Sequence, residues 1–273
     1  MNICDKALCT GCGVCADVCP KNCVEIKYDS NGFYQSFVDE NACVKCNKCI
    51  SICPVNNPSN NNKVLKSYKI RRIDSQNALK SSSGGVAALI SEKIIENGGY
   101  VVGCGFDEEL VLKHSIASEL SECEKFKGSK YVQSNVVGTY SDVKKLVSEN
   151  KTVLFTGTPC QVSALNNYLG KNYDNLYTID LVCHGVSSQK VLDKYISSIE
   201  MDEKVTNILF RNKDNGYTNG TSNSMQYVFA DSVKTVSYKA GVGLWFASGL
   251  SLRESCYKCN FADTKRCADI SLA

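Results

Sequence analysis

No apolar run in this 273-residue chain approaches the roughly 18 residues that a membrane-spanning helix needs. Met1 leads into polar residues and Cys4, without the apolar segment that targets export. No G-x-G-x-x-G follows a strand pattern and no Walker loop is present, so neither a Rossmann site nor a P-loop is supported. Basic residues form no stripe, and the formal charge of +3 counts every thiol as protonated. Loading a four-thiolate cubane adds about −2, so the loaded chain is expected near neutral or mildly acidic. That argues against a nucleic-acid partner. These absences leave the expectation of a cytoplasmic protein with no membrane span.

Cysteine is what the chain has in excess. Seventeen thiols without a signal peptide point to metal in a reducing compartment rather than to disulfides. Eight of them stand in two runs, Cys9-x-x-Cys12-x-x-Cys15-x-x-x-Cys19-Pro20 and Cys43-x-x-Cys46-x-x-Cys49-x-x-x-Cys53-Pro54. This is the spacing of a bacterial two-cluster ferredoxin, in which the fourth cysteine of each run crosses to the other cluster. Cys9, Cys12, Cys15 and Cys53 are therefore expected to hold one [4Fe–4S] cluster, and Cys43, Cys46, Cys49 and Cys19 the other. A zinc module is the competing reading, but paired C-x-x-C ligands fit these triplets poorly. A disulfide knot is the other. Between the runs, Val24–Tyr28 and Gln35–Asp39 flank Asp29-Ser30-Asn31-Gly32, a hairpin pattern.

The polar stretch Asn56–Asn62 marks a boundary, giving a ferredoxin-type domain over 1–55, a linker over 56–66 and a larger domain over 67–273. In the larger domain strand and helix patterns alternate. They place a helix through Val86, Leu89, Ile90 and Ile94, a strand over Tyr100–Phe106 and a helix over Ser141–Glu149. A strand over Thr152–Phe155, a helix over Val162–Leu169, a strand over Tyr177–Val182 and a helix over Ser188–Ile199 follow. Val205–Arg211, Met225–Phe229 and Val233–Tyr238 read as an antiparallel insertion. The expected fold is thus an α+β two-cluster ferredoxin module followed by an α/β domain with a β-meander insertion.

Two segments follow the carboxyl ends of predicted strands, where open α/β sheets place ligands: Thr156-Gly157-Thr158-Pro159-Cys160-Gln161 and Cys183-His184-Gly185. With Cys256-x-x-Cys259 they offer four more thiols. Cys160, Cys183, Cys256 and Cys259 form a third [4Fe–4S] site, or else Cys160 and Cys183 are small buried hydrophobes. Ser81-Ser82-Ser83-Gly84-Gly85 offers hydroxyls and free amides before a helix, an anion cradle or an ordinary serine cap. His184 is a candidate proton donor, or a structural histidine. His114 falls in a strand-like run with no assigned role. Cys4, Cys23, Cys104, Cys123 and Cys267 have no ligand spacing and read as packing or incidental thiols, and Trp245 as core.

Five motifs occur in order: Ser82–Gly85, Gly99–Gly103, Ser129-Lys130-Tyr131-Val132-Gln133-Ser134, Val153–Gln161 and Asp180–Gly185. The set resembles the coenzyme F-420 hydrogenase/dehydrogenase beta-subunit family, in the version with a two-cluster ferredoxin fused at the N-terminus. The resemblance implies an iron–sulfur flavoprotein oxidoreductase of anaerobes that binds FAD and passes electrons between clusters and a two-electron acceptor. It favours the third cluster, makes Ser82, Ser83, Gly84 and Gly85 an FAD contact, and places the flavin ring by Thr156, Gly157, Thr158 and Gln161. Implied partners are a redox protein or soluble electron donor and a small-molecule two-electron acceptor. A non-catalytic relay subunit of a larger oxidoreductase complex is the alternative, and a redox sensor a third. The family usually continues past Arg266-Cys267-Ala268-Asp269-Ile270, so the sequence is expected to be a fragment or truncated product.

Overall fold

A computed structural model describes residues 1–59, 62–200, 203–213 and 224–273. Asn60 and Asn61 of the expected linker lie outside the described residues.

In the N-terminal module, α1 (Val14–Asp17) and α2 (Lys48–Ser51) each follow a cysteine triplet's first turn. Between them β1 (Val24–Tyr28) and β2 (Tyr34–Val38) pair antiparallel, with Tyr28 opposite Tyr34. Seven cysteines pack among Ile3, Val24, Ile26, Val38 and Ile50, so the interior of this module is built largely from sulfur.

The larger domain opens with α3 (Ser75–Leu79), capped by the Asp74 carboxylate, and α4 (Val86–Glu96). Then follow β3 (Tyr100–Phe106), β4 (Leu112–Ala117), α5 (Leu120–Cys123), α6 (Thr139–Ser148), β5 (Val153–Gly157), α7 (Pro159–Leu169), β6 (Leu176–Leu181) and α8 (Gln189–Ile199). After these come β7 (Asn207–Asn212), β8 (Ser224–Val228), β9 (Val233–Ser237), α9 (Gly241–Ala247) and β10 (Ile270–Leu272). One sheet runs β10-β6-β5-β3-β4, parallel except for β4, and its inner strand β5 is buried on both faces, the mark of a sheet covered on both sides. A second, antiparallel sheet runs β7-β8-β9 and packs on α8 and α9 around Phe210, Met225 and Tyr227, with Trp245 at its margin.

The start of α7 differs from the sequence expectation. Thr158 and Gln161 exchange hydrogen bonds as a capping box and Pro159 occupies the first turn, so the helix begins three residues before Val162 and Cys160 is helical. Gly170 ends it in the left-handed region.

The module is bolted to the larger domain by hydrogen bonds between partners far apart in sequence. Tyr140 donates to the Cys12 carbonyl at 2.9 Å, and Gln133 donates to the Thr10 carbonyl at 3.0 Å while accepting from the Tyr34 amide. Asn167 donates to the Ile52 and Asn57 carbonyls. Cys12 and Val14 are buried in the same cluster as Val102, Phe155 and Leu165. At the centre of this interface Gly11 has φ +65°, and a Cβ there would come within 2.5 Å of the Tyr34 carbonyl oxygen and 3.0 Å of the Arg253 guanidinium. Gly11→Ala is expected to destabilise the loaded chain by about 1–3 kcal/mol through overpacking, read as a fall in the denaturant midpoint. An unchanged midpoint would mean that the interface yields freely.

Candidate redox centres and cleft

Around the first run, the Cys4 thiol hydrogen-bonds to those of Cys9 and Cys53, which lie 44 residues apart in sequence. Cys9 is lowered to about 6, first by the Cys4 thiol and then, against the cost of burial, by the charge of Arg253. Cys53 is lowered to about 7, again first by Cys4. Cys15 is pushed up to about 12 by burial and by Cys9 and Cys53, and burial holds Cys12 far above its ordinary value. Cys9, Cys12, Cys15 and Cys53 are thus brought together, with Cys4 as a fifth thiol.

Cys19 leaves its own run. A small pocket is lined by Cys19, Cys43, Cys46 and Cys49, joined by Cys23. Cys23 stands 3.4 Å from Cys19, sulfur to sulfur, and its thiol is raised to about 11 by Cys19 first. Cys4 and Cys23, read from sequence as packing or incidental thiols, pack in the module's interior and also stand at the thiol clusters. Their signal was one of position: each lies four or five residues from a ligand of a run, a spacing that names no motif.

The third group also assembles. Cys160, on the first turn of α7, is pushed up to about 12 by burial, with Cys183, Cys259 and Cys256 all near enough to add to the effect. Burial raises Cys183 to about 11, with Cys256 and Cys259 adding to it. Cys183 lies past β6, and Cys256 in a short 3-10 turn, Glu254–Lys258, that leads into Cys259. Cys12 of the first group also feels Cys160, which places the two groups side by side. Among the described residues, no three His, Cys, Asp or Glu side chains converge tightly enough for one metal ion. A four-iron cube makes a different demand, because its ligands bind separate corners. Twelve thiols in three groups supply its donor chemistry.

Beyond Cys160 and Cys183 opens a cleft of about 2860 Å³, far above the several hundred Å³ of a drug-sized pocket. Its walls bring together Ser82, Ser83, Gly84, Gly85, Thr156, Gly157, Thr158, Gln161 and His184. No serine side chain caps α4, because Gly85 takes the cap position at φ 77°. The serine-cap alternative is thereby excluded. Ser82 instead accepts from Ser129 at 2.7 Å, and Lys213 binds the Ser81 and Ser83 carbonyls from behind. Gly84 answers to a neighbouring segment: a Cβ there would lie 2.9 Å from the Ile70 carbonyl oxygen.

His184 directs Nε2 toward the Phe246 carbonyl at 3.2 Å and meets the Phe246 ring edge-on. His114, given no role from sequence, lines the cleft as well. Its Nε2 lies 3.1 Å from the Thr156 carbonyl, which can only accept, so Nε2 carries the hydrogen. Among the described residues Nδ1 is then a buried acceptor without a donor. Burial lowers this imidazole to about 4, leaving it neutral near pH 7. Lys130, also in the cleft wall, donates to the Lys127 carbonyl at 2.9 Å and is lowered by burial.

Residues 8–57 match the 4Fe-4S dicluster domain. Residues 150–273 match the C-terminal domain of the beta subunit of coenzyme F420 hydrogenase/dehydrogenase. Among solved structures the chain is similar to one from the F420-reducing [NiFe] hydrogenase complex of Methanosarcina barkeri. The identity is 21% over 69% of this chain, with a TM-score of 0.45, and the match spans 63% of that chain's length. Curated protein sequences give no match. No helix among the described residues is long and apolar enough to cross a membrane. The chain thus carries one stretch similar to a 4Fe-4S dicluster domain, residues 8–57, and one similar to the C-terminal domain of the coenzyme F420 hydrogenase/dehydrogenase beta subunit, residues 150–273.

Proposed function

We propose that the chain is an iron–sulfur flavoprotein oxidoreductase, passing electrons between [4Fe–4S] clusters and a two-electron acceptor through FAD. The observation that carries this reading is contiguity. The thiols of the first cysteine run adjoin Cys160, Cys160 adjoins Cys183, and Cys183 lines the cleft together with Thr158 and Gln161 on either side of Cys160. Ligands at Cys43, Cys46, Cys49 and Cys19 would adjoin those at Cys9, Cys12, Cys15 and Cys53, through Cys49 and Cys15, and these would adjoin those at Cys160, Cys183, Cys256 and Cys259, through Cys12 and Cys160.

The cleft residues fit FAD in both size and chemistry. The free amides at the start of the 11-residue helix α4, with the Ser82 and Ser83 hydroxyls, suit a diphosphate. A ring bound against Thr156, Gly157, Thr158 and Gln161 would lie near Cys160, whose sulfur is 3.1 Å from the Thr158 hydroxyl. FAD would supply the exchange between one-electron clusters and a two-electron acceptor. Lys130 places a cation in the wall, and His184 is the residue from which a proton could reach a bound acceptor.

The test is anaerobic reconstitution of the full chain with iron, sulfide and FAD. Tight flavin reducible by a small-molecule donor supports the oxidoreductase, whereas loaded clusters with no flavin uptake support the relay alternative. Ligand crossover has its own check. Cys19→Ala and Cys53→Ala are each expected to convert one cluster to a labile three-iron form, and Cys19→Ala should damage the cluster of the second run. Spectroscopic loss of the same cluster in both variants would refute the crossover.

A further inference from the structure

Arg253 is 4% exposed and lies where the module meets the larger domain. Its guanidinium donates from Nε to the Cys9 carbonyl at 2.6 Å and from Nη1 to the Tyr34 carbonyl at 2.8 Å and Gln133 Oε1 at 3.2 Å. Nη2 donates to Gln35 Oε1 at 2.9 Å, and the Phe33 ring lies 5.6 Å beneath. Every acceptor is neutral. Among the described residues no carboxylate forms an ion pair with it, in contrast to Arg72, which pairs with Glu92 at 2.7 Å. Hydrogen bonds to neutral oxygens satisfy the donors of a buried guanidinium but do not offset its charge; the group near enough to do so is the Cys9 thiol, which that charge favours as thiolate.

The surroundings hold a source of negative charge. The side chain binds the backbone of Cys9, and the Arg253 carbonyl accepts from the Cys256 amide at 2.9 Å. Each cubane held by four thiolates carries about −2. We propose that Arg253 is the buried countercharge of the electron relay: the anionic cluster at Cys9 neutralises its guanidinium, and the guanidinium raises that cluster's reduction potential. The inference rests on Cys9 being a cluster ligand, as in the proposed function. Reduction adds one electron to the cluster, with no bond made or broken, so a fixed neighbouring cation favours the reduced form. The cluster of the second run, which Arg253 does not contact, is left without this effect.

The experiment is an EPR-monitored redox titration of the reconstituted full chain, with iron counted in each sample. Cys9→Ala first identifies the signal of the Cys9 cluster. If that variant alters no cluster, the ligand assignment fails, independently of any role for Arg253. Arg253→Met, which keeps the stem and removes the charge, is expected to shift the Cys9 cluster to lower potential while the second-run cluster stays in place. Arg253→Lys, which keeps the charge, should hold the Cys9 cluster near its wild-type potential. A loaded Arg253→Met with unchanged potential overturns the proposal, and so does a loaded Arg253→Lys whose potential falls. If neither variant retains the Cys9 cluster, Arg253 is a structural bolt only, and the proposal is again wrong.

Discussion

Replacing Cys160 with alanine in the full chain is expected to lower the iron of the anaerobically reconstituted protein from about 12 atoms to about 11 while the labile three-iron form persists, and to about 8 once that form is lost. The reason lies in how the third thiol group is assembled. Cys160 stands on the first turn of α7, fixed by the Thr158–Gln161 capping box, and its sulfur lies 3.1 Å from the Thr158 hydroxyl. Cys183, Cys256 and Cys259 come from two other segments and meet only there. Losing Cys160 removes the ligand nearest the module and opens one corner of the cube. Cys123→Ala is the control, since that thiol is buried against Val101 and Leu154, away from all three groups. Retention also carries a pH dependence. Binding needs thiolates, while burial keeps the Cys160 and Cys183 thiols protonated in the metal-free chain, so iron uptake should weaken as pH falls. A wild-type chain that saturates at about 8 atoms would remove the third cluster from the scheme.

The second large effect concerns the cleft. Ser82→Asp is expected to weaken FAD binding on the order of ten- to a hundred-fold, about 1.4 kcal/mol for each factor of ten, with iron content unchanged. A carboxylate there would face the phosphates that the amides at the start of α4 are suited to hold. Gly84→Asp is a poorer probe, because its Cβ would first meet the Ile70–Arg71 backbone and displace that segment, whatever it did to a ligand. Flavin fluorescence titrated into the cluster-loaded, FAD-free chain reads the affinity directly. An unchanged affinity would place the diphosphate elsewhere.

The two cysteine runs were legible because their chemistry is local. Three thiols within seven residues must share a turn, and the spacing states this without reference to the rest of the fold. The strand at Tyr100–Phe106 and the strand and helix pattern from Ser141 to Ile199 were legible for a similar reason, since buried strands and half-buried helices leave their periods in the sequence; β4 showed only as a strand-like run at His114, and α5 was not read. Cys4 and Cys23 are not legible in this way, because their partners are set by how the chain folds back on itself. Arg253 and His114 are hidden for the same reason. A buried arginine far along the chain looks like any surface arginine until its acceptors arrive from Cys9, Tyr34, Gln35 and Gln133. The onset of α7 falls earlier than expected because the turn Thr-Pro-Cys-Gln reads as a strand-end loop, although Thr158 and Gln161 already spell a capping box.

The hydrogen bond from Arg253 to Cys9 spans 244 residues. During synthesis, therefore, the cysteine module is complete long before its socket exists. N-terminal units fold first as the chain emerges, while contacts of such wide separation close last. The module's metal-binding thiols thus wait in an undocked state that is open to metal delivery and equally open to oxygen. Cys12 packs against Val102, Phe155 and Leu165 of the larger domain. Docking then covers this part of the module with the larger domain.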